Sequence, residues 1–187
     1  MNFTKAQRIL LYASALWFFG EGLFGPLFAV FAEKIGGDIL DITWAWSLYL
    51  IASGLLYILF GKILNKSKYK TEAMIFGYFI NTIFTFCYIF VHNSTQLFIL
   101  QIGFALAESI STPIWDSIFA KNLEDPEDSF FWGVAGGQSH LVSGIAIAIG
   151  GLITYYISFN ALFIIMGVIQ AAATLMQARL LFLKKIK

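Results

Sequence analysis

Charged residues are scarce in this sequence. Only 12% of its 187 residues are Asp, Glu, Lys or Arg, whereas 59% are hydrophobic. A soluble domain usually carries about 25% charged residues, so this chain has too few of them to cover a surface that faces water. The scarcity excludes a soluble globular protein and predicts a protein embedded in the lipid bilayer.

Cysteine pairs and catalytic motifs are absent as well. The single cysteine, Cys87, has no partner for a disulfide within the chain. The sequence contains no nucleophile elbow, zinc-protease motif, phosphate-binding loop or Cys/His metal spacing. We therefore expect no enzyme activity, cofactor or metal. The net charge of +1 gives no reason to expect nucleic acid as a partner.

What the sequence does contain is a series of long apolar runs. A transmembrane helix needs about 20 predominantly apolar residues. Six runs reach that length, at roughly 9–32, 40–61, 72–92, 96–120, 130–157 and 160–183. The segments between them are short, so each helix must run antiparallel to the one before it. The sequence thus predicts an all-α protein with six transmembrane helices in a single domain over residues 1–187.

The basic residues indicate how this domain sits in the membrane. All but one of the 12 Lys and Arg residues lie before the first run, after an even-numbered run, or near the end of the chain. The exception is Lys34. Because Lys and Arg accumulate in cytoplasmic loops, we predict a multi-pass protein of the cell (inner) membrane with both termini in the cytoplasm.

An internal repeat relates the first run to the fourth. The segment "EGLFGPLFAVFAEK" aligns with "ESISTPIWDSIFAK", so that Glu21 matches Glu108 and Pro26 matches Pro113. The matched helices are three places apart in the series, an odd number, so the second unit enters the membrane from the opposite side. This predicts a 3+3 inverted repeat, an arrangement common in secondary transporters. A chance match between two apolar segments is the alternative.

Glu21 and Glu108 are the leading candidates for a functional site. Each lies about 12 residues into its helix, or roughly 18 Å from the membrane entry and near the middle of the hydrocarbon core. A charge at that depth is costly and usually marks an ion or proton pathway. We predict that both carboxylates bind the coupling ion or the substrate, and that His140 could share a proton with Glu108. The alternative is that all three are only hydrogen-bonded between helices.

Further polar and aromatic residues share these helix faces at helical spacing. We expect them to line a path for a small-molecule substrate: Ser14, Trp17, Gln101, Thr112, Trp115 and Gln138. Pro26 and Pro113 each follow a carboxylate by five residues. Because a proline inside a helix removes a backbone hydrogen bond, we expect both helices to bend beside the carboxylates.

The loop "GKILNKSKYK" resembles the signature loop of the major facilitator superfamily. Gly61, Lys66 and Lys70 match that loop, whereas Asn65 stands where the family has an aspartate. In the family this aspartate helps to latch one half of the transporter against the other, so the resemblance implies a weaker latch here. Helix count and loop placement extend the resemblance over the whole chain, which is similar to one six-helix half of a twelve-helix transporter.

The resemblance implies a secondary active transporter that moves a small solute by alternating access, coupled to protons or another cation. The second half is then expected from another copy, as a parallel homodimer, or from a separate partner chain. Small residues that let helices approach closely in lipid make Gly144, Ala148 and Gly150 candidates for the interface, unless they pack within one protomer. A non-transporting scaffold and an intramembrane enzyme using Glu21, Glu108 and His140 are further alternatives.

Overall fold

The computed structural model describes residues 3–123 and 128–183, and the regular structure in these two ranges is helical. The helices are α1 (Lys5–Phe24), α2 (Leu27–Lys34), α3 (Ile39–Leu64), α4 (Lys70–Cys87), α5 (Ser94–Lys121), α6 (Asp128–Tyr156) and α7 (Phe159–Ala178). Single 3-10 turns, Tyr88–Phe90 and Arg179–Phe182, extend α4 and α7. Lys184, Lys185 and Lys187, which contribute to the predicted orientation, lie outside the described residues.

The helices α3 to α7 are each long and apolar enough to cross a membrane. The pair α1 and α2 meets the same criterion together, with a bend of 46° between the two helices. The described chain therefore has five spans, or six if the bent pair is a single span. This confirms the prediction of an all-α, multi-pass membrane protein.

The two matched prolines have different effects on their helices. α1 ends where the N–H of Gly25 donates to the carbonyl of Glu21 at 3.2 Å. Pro26 has no N–H to continue this series, and the new helix α2 begins directly after it at an angle. Pro113, by contrast, lies within the continuous helix α5. The bend beside the first carboxylate is therefore a break between two helices.

The helices pack as two groups that meet along α4 and α7. α1 packs against α6 and α7, while α5 packs against α3 and α4. α1 and α5 make few direct contacts with each other. α3 buries only Ala45 and Ser53 within the bundle, and most of α6 is likewise exposed. This packing leaves space between α1 and α5 in the middle of the molecule.

Two apolar clusters occupy the opposite ends of the bundle. One contains Phe24, Phe31 and Phe163, and the other contains Leu10 and Phe119. Between them lies a layer of buried polar side chains: Asn81, Thr82, Thr85, Gln170 and Thr174. The polar layer is at the same depth as the cavities described next.

Candidate functional site

Two cavities meet at Glu21 and Asn81, which line both of them. The larger, of about 340 Å³, extends from there towards Phe28 and the start of α2. The smaller, of about 140 Å³, extends towards Asp116 in the last third of α5. In the predicted orientation the larger cavity lies on the outer side of Glu21 and the smaller on the cytoplasmic side.

Glycines on α1 determine where the carboxylate of Glu21 lies. A Cβ on Gly20 would lie 2.9 Å from the Gln170 side chain of α7, and one on Gly22 would lie 2.9 Å from the Cα of Ser143 in α6. The two glycines therefore let α1 pack tightly against both neighbours. Glu21 projects between these contacts, and its side chain is exposed to the cavities.

Glu108 is held differently from Glu21. Its carboxylate accepts hydrogen bonds from the hydroxyls of Tyr49 and Tyr57, the latter at 2.7 Å. Both tyrosines belong to α3, and the side chain of Glu108 is half-buried. Glu108 lines the smaller cavity together with Glu21. The structure therefore brings the two carboxylates of the sequence repeat to one cavity but gives them different environments.

Most of the other candidates line these same cavities. Ser14, Trp17, Thr112 and Trp115 line the smaller one, and Gln101 lines the larger. Within the described ranges, neither the Nε2 atom of Gln101 nor the Nε1 atom of Trp115 has a hydrogen-bond partner, although both atoms are buried. Because a buried donor without a partner is costly, these groups are suited to an acceptor on a bound solute or a water molecule.

His140 and Gln138 do not lie with the carboxylates. His140 is on the exposed side of α6, where its Nδ1 atom lies 2.7 Å from the carbonyl of Gly136, and it lines neither cavity. Gln138 donates through Nε2 to the carbonyl of Leu11 at 2.6 Å. Within the described residues His140 is therefore not placed beside Glu108, because its position on α6 is exposed and outside the cavity that Glu108 lines.

The sequence interpretation missed the polar contacts of α3, α4 and α7. Thr85 donates from its hydroxyl to Oε1 of Gln170, and the hydroxyls of Thr82 and Thr174 lie 3.3 Å apart. These polar residues recur three or four positions apart within apolar runs, which is the same signal that selected the polar companions of Glu21 and Glu108. No comparable signal was available for Tyr49 and Tyr57, because tyrosines are common on lipid-facing and interfacial surfaces.

The loop between α3 and α4 lies against the end of α5. Asn65, Lys66 and Lys70 line a shallow pocket of about 310 Å³ together with Lys121 of α5. Gly61 lines a smaller adjoining pocket of about 60 Å³, next to Pro113. The positions that match the signature loop are therefore gathered at one end of the bundle.

The three small residues of α6 fall into two groups. Gly144 and Ala148 are exposed, and a Cβ on Gly144 would meet nothing within 4 Å. Gly150 is buried, and a Cβ there would overlap the backbone of Leu23 in α1. Packing within the chain thus accounts for the small size of Gly150, whereas Gly144 and Ala148 remain free for contacts with lipid or another bundle.

A multi-pass helical bundle with carboxylates, amides and aromatic rings lining cavities in its centre fits a membrane transporter. The sequence model of the Major Facilitator Superfamily matches residues 10–187, and the chain belongs to this family. This confirms the resemblance seen in the sequence and favours a transporter over an enzyme.

The chain is also similar to part of a curated transport protein. The chain is 24% identical over 159 residues to the "Proton-coupled antiporter flippase LtaA" of Staphylococcus saprophyticus subsp. saprophyticus. The alignment covers 83% of this chain and 40% of that protein. The chain thus spans less than half the length of this relative.

Proposed function

We propose that this bundle forms part of a secondary active transporter that moves a small solute by alternating access and is driven by protons. The observation that carries the proposal is the position of Glu21. Its carboxylate lies in the middle of a membrane-spanning segment, yet it is exposed to a cavity on each side. A titratable group at that position can take up a proton from one side and release it to the other when the helices move.

The charges around the cavities indicate which ions are bound there. Glu21, Glu108 and Asp116 contribute carboxylates to the cavity linings, and no Lys, Arg or His of the described chain lines either cavity. An intramembrane carboxylate without a basic partner requires a proton or another cation to offset its charge. The description of the relative as a proton-coupled antiporter supports the proton, and exchange against the solute, as the coupling mode.

The same linings favour a cationic solute over an anionic one. The larger cavity combines the carboxylate of Glu21 with aromatic rings, including those of Phe28, Trp46 and Tyr88. Aromatic faces attract organic cations, and a carboxylate adds charge complementarity. Since the relative is described as a flippase, an amphiphilic solute with a polar head is the second candidate. The apolar wall and the neutral amides of the larger cavity would suit it.

The packing supports an inverted repeat and a second bundle. An inverted repeat would pair α1 with α5, α3 with α6 and α4 with α7. Under this pairing the α3–α5 contact corresponds to the α6–α1 contact, and the α4–α5 contact to the α7–α1 contact. The α4–α7 contact is unchanged by this pairing. α3 and α6, which correspond under it, are the two spans with the least burial in the bundle. We propose that their exposed faces contact six further helices, from a second copy in a parallel homodimer or from a partner chain.

Uptake of the fluorescent cation ethidium into proteoliposomes tests the transport proposal. We expect an outward-directed gradient of protons, with the membrane potential held at zero, to drive uptake through the wild-type protein. Glu21→Gln keeps the size of the side chain but cannot exchange a proton, so gradient-driven uptake should be lost.

Glu33→Gln is the matched control, because Glu33 is an exposed residue near the end of α2 that lines neither cavity. This variant should transport like the wild type. Undiminished gradient-driven uptake by Glu21→Gln would contradict the assigned role of Glu21. Wild-type protein that moves no ethidium would contradict a cationic solute. If Glu21→Gln and Glu108→Gln together left the cellular function intact, the scaffold alternative would be favoured.

A further inference from the structure

Tyr49 is a single side chain that contacts both functional regions. It lines the larger cavity, and its hydroxyl donates to the carboxylate of Glu108. Glu108 lines only the smaller cavity of the two. A solute in the larger cavity and a proton on Glu108 can therefore influence each other through one residue.

The same hydrogen bond attaches α3 to the rest of the bundle. Ala45, Tyr49, Ser53 and Tyr57 recur every four residues and so lie on one face of α3. Ala45 and Ser53 are the buried residues of this helix, and the carbonyl of Ser53 accepts a hydrogen bond from the Ser109 hydroxyl at 3.3 Å. Glu108 lies between the hydroxyls of Tyr49 and Tyr57, at the centre of this face.

The strength of this attachment depends on the charge of Glu108. Hydrogen bonds to an ionised carboxylate are roughly twice as strong as those between neutral groups, so α3 is held more firmly when Glu108 has lost its proton. The other titratable groups of the smaller cavity are Glu21 of α1, Tyr78 of α4 and Asp116 of α5. None of these is a cationic group that could replace the tyrosines as a partner for the carboxylate.

The surroundings of Tyr49 allow a solute to act on this hydrogen bond. The Trp46 ring lies 5.5 Å from the Tyr49 ring, and both residues line the larger cavity. A solute that packs on these rings would displace the Tyr49 hydroxyl from Glu108. Tyr57 donates to the same carboxylate but does not line the larger cavity, so a solute there would not reach it directly.

We propose that Tyr49 is the positioning residue that couples solute binding in the larger cavity to the proton on Glu108 and to the attachment of α3. This inference rests on the proposed function. It assigns the coupling to one hydroxyl group. It also separates the roles of the two carboxylates: Glu21 exchanges its proton for the solute, while Glu108 controls how firmly α3 is attached to the bundle.

The distance between α3 and α5 reports on this coupling. Spin labels at Lys62→Cys and Lys121→Cys, two exposed residues at the same predicted membrane face, would be measured by electron–electron double resonance in nanodiscs. Cys87→Ser removes the native thiol. We expect the wild-type distance to change between alkaline and acidic pH, and Glu108→Gln to abolish that change.

Tyr49→Phe and Tyr57→Phe form a matched pair, because each removes one hydroxyl from Glu108 and leaves the ring in place. At constant pH, ethidium should shift the distance in the wild type and in Tyr57→Phe but not in Tyr49→Phe. Ethidium affinity should also change with pH in the first two proteins. In Tyr49→Phe the ratio of the ethidium affinities at the two pH values should be about tenfold smaller, because one charge-assisted hydrogen bond is lost.

The outcomes separate this inference from the proposed function. If Tyr49→Phe and Tyr57→Phe respond identically to ethidium, or if both respond like the wild type, the coupling role of Tyr49 is overturned while proton-driven transport stands. If the wild-type distance does not change with pH, the control of α3 by Glu108 is overturned. Loss of ethidium transport in Glu21→Gln with normal coupling in Tyr49→Phe would support the proposed function alone.

Discussion

Gly150→Ala tests the packing of α6 against α1 within one of the two helix groups. Gly150 of α6 is the position where the backbone of α1 comes closest. An added Cβ would overlap the carbonyl oxygen of Leu23 and lie 2.7 Å from its carbonyl carbon and 2.9 Å from its Cα. These are backbone atoms, which cannot move aside by a change of rotamer. The substitution must therefore separate α6 from α1 or distort one of them.

The expected cost follows from the size of this overlap. Overpacking a well-packed contact by one methyl group typically costs about 1–3 kcal/mol. For a soluble domain of similar length each kcal/mol corresponds to roughly 2–4 °C in the unfolding midpoint. We therefore expect Gly150→Ala to lower the midpoint by roughly 2–12 °C in thermal unfolding monitored by tryptophan fluorescence in detergent.

Gly144→Ala is the matched control on the same helix. A Cβ there meets no atom within 4 Å, and alanine has a higher helix propensity than glycine. Its midpoint should be equal to that of the wild type or slightly higher. Equal stability of the two alanine variants would refute the close contact between α6 and α1, and with it the assignment of Gly150 to the interior of the bundle.

Two further predictions concern the start of α1 and the exposed face of α6. Gln7 is almost fully buried, and its Nε2 donates to the carbonyl of Asn122 at 2.7 Å. Gln7→Ala should therefore lower the free energy of unfolding by about 1–3 kcal/mol in the same thermal assay. Lys5→Ala is the control, because Lys5 is exposed, and it should have little effect. Native mass spectrometry of the protein released from nanodiscs should show a homodimer near twice 20.9 kDa. Gly144→Leu should convert this dimer to a monomer of unchanged thermal stability. A wild-type monomer across lipids and concentrations would refute the homodimer.

The class of the protein could be predicted from the sequence because it depends on composition and order along the chain. Long apolar runs must become helices in a bilayer, where each backbone polar group needs a partner within its own segment. Glu21 and Glu108 could be singled out for the same reason, since few carboxylates are tolerated at that depth. In the structure both carboxylates line the smaller cavity, whereas their predicted role in binding the coupling ion or the substrate stays a prediction.

Only the tertiary structure decided how these carboxylates differ. The two tyrosine hydroxyls on Glu108 come from α3, and nothing in the local sequence of α5 specifies which neighbour faces it. The same limit applies to His140. Its depth in the membrane could be inferred from the sequence, but its exposed position on α6 could not. Helical spacing gives relative angles within one helix, whereas the direction of a face depends on how helices from distant parts of the chain pack.

The small residues of α6 show this division most simply. The sequence alone determined that α6 has glycines and alanines and can therefore approach another helix closely. Whether each of them faces α1, as Gly150 does, or an exposed surface, as Gly144 does, was decided by tertiary packing. The physical reason is that a missing side chain permits a close contact without specifying its partner, and the partner is selected by the shape of the whole bundle.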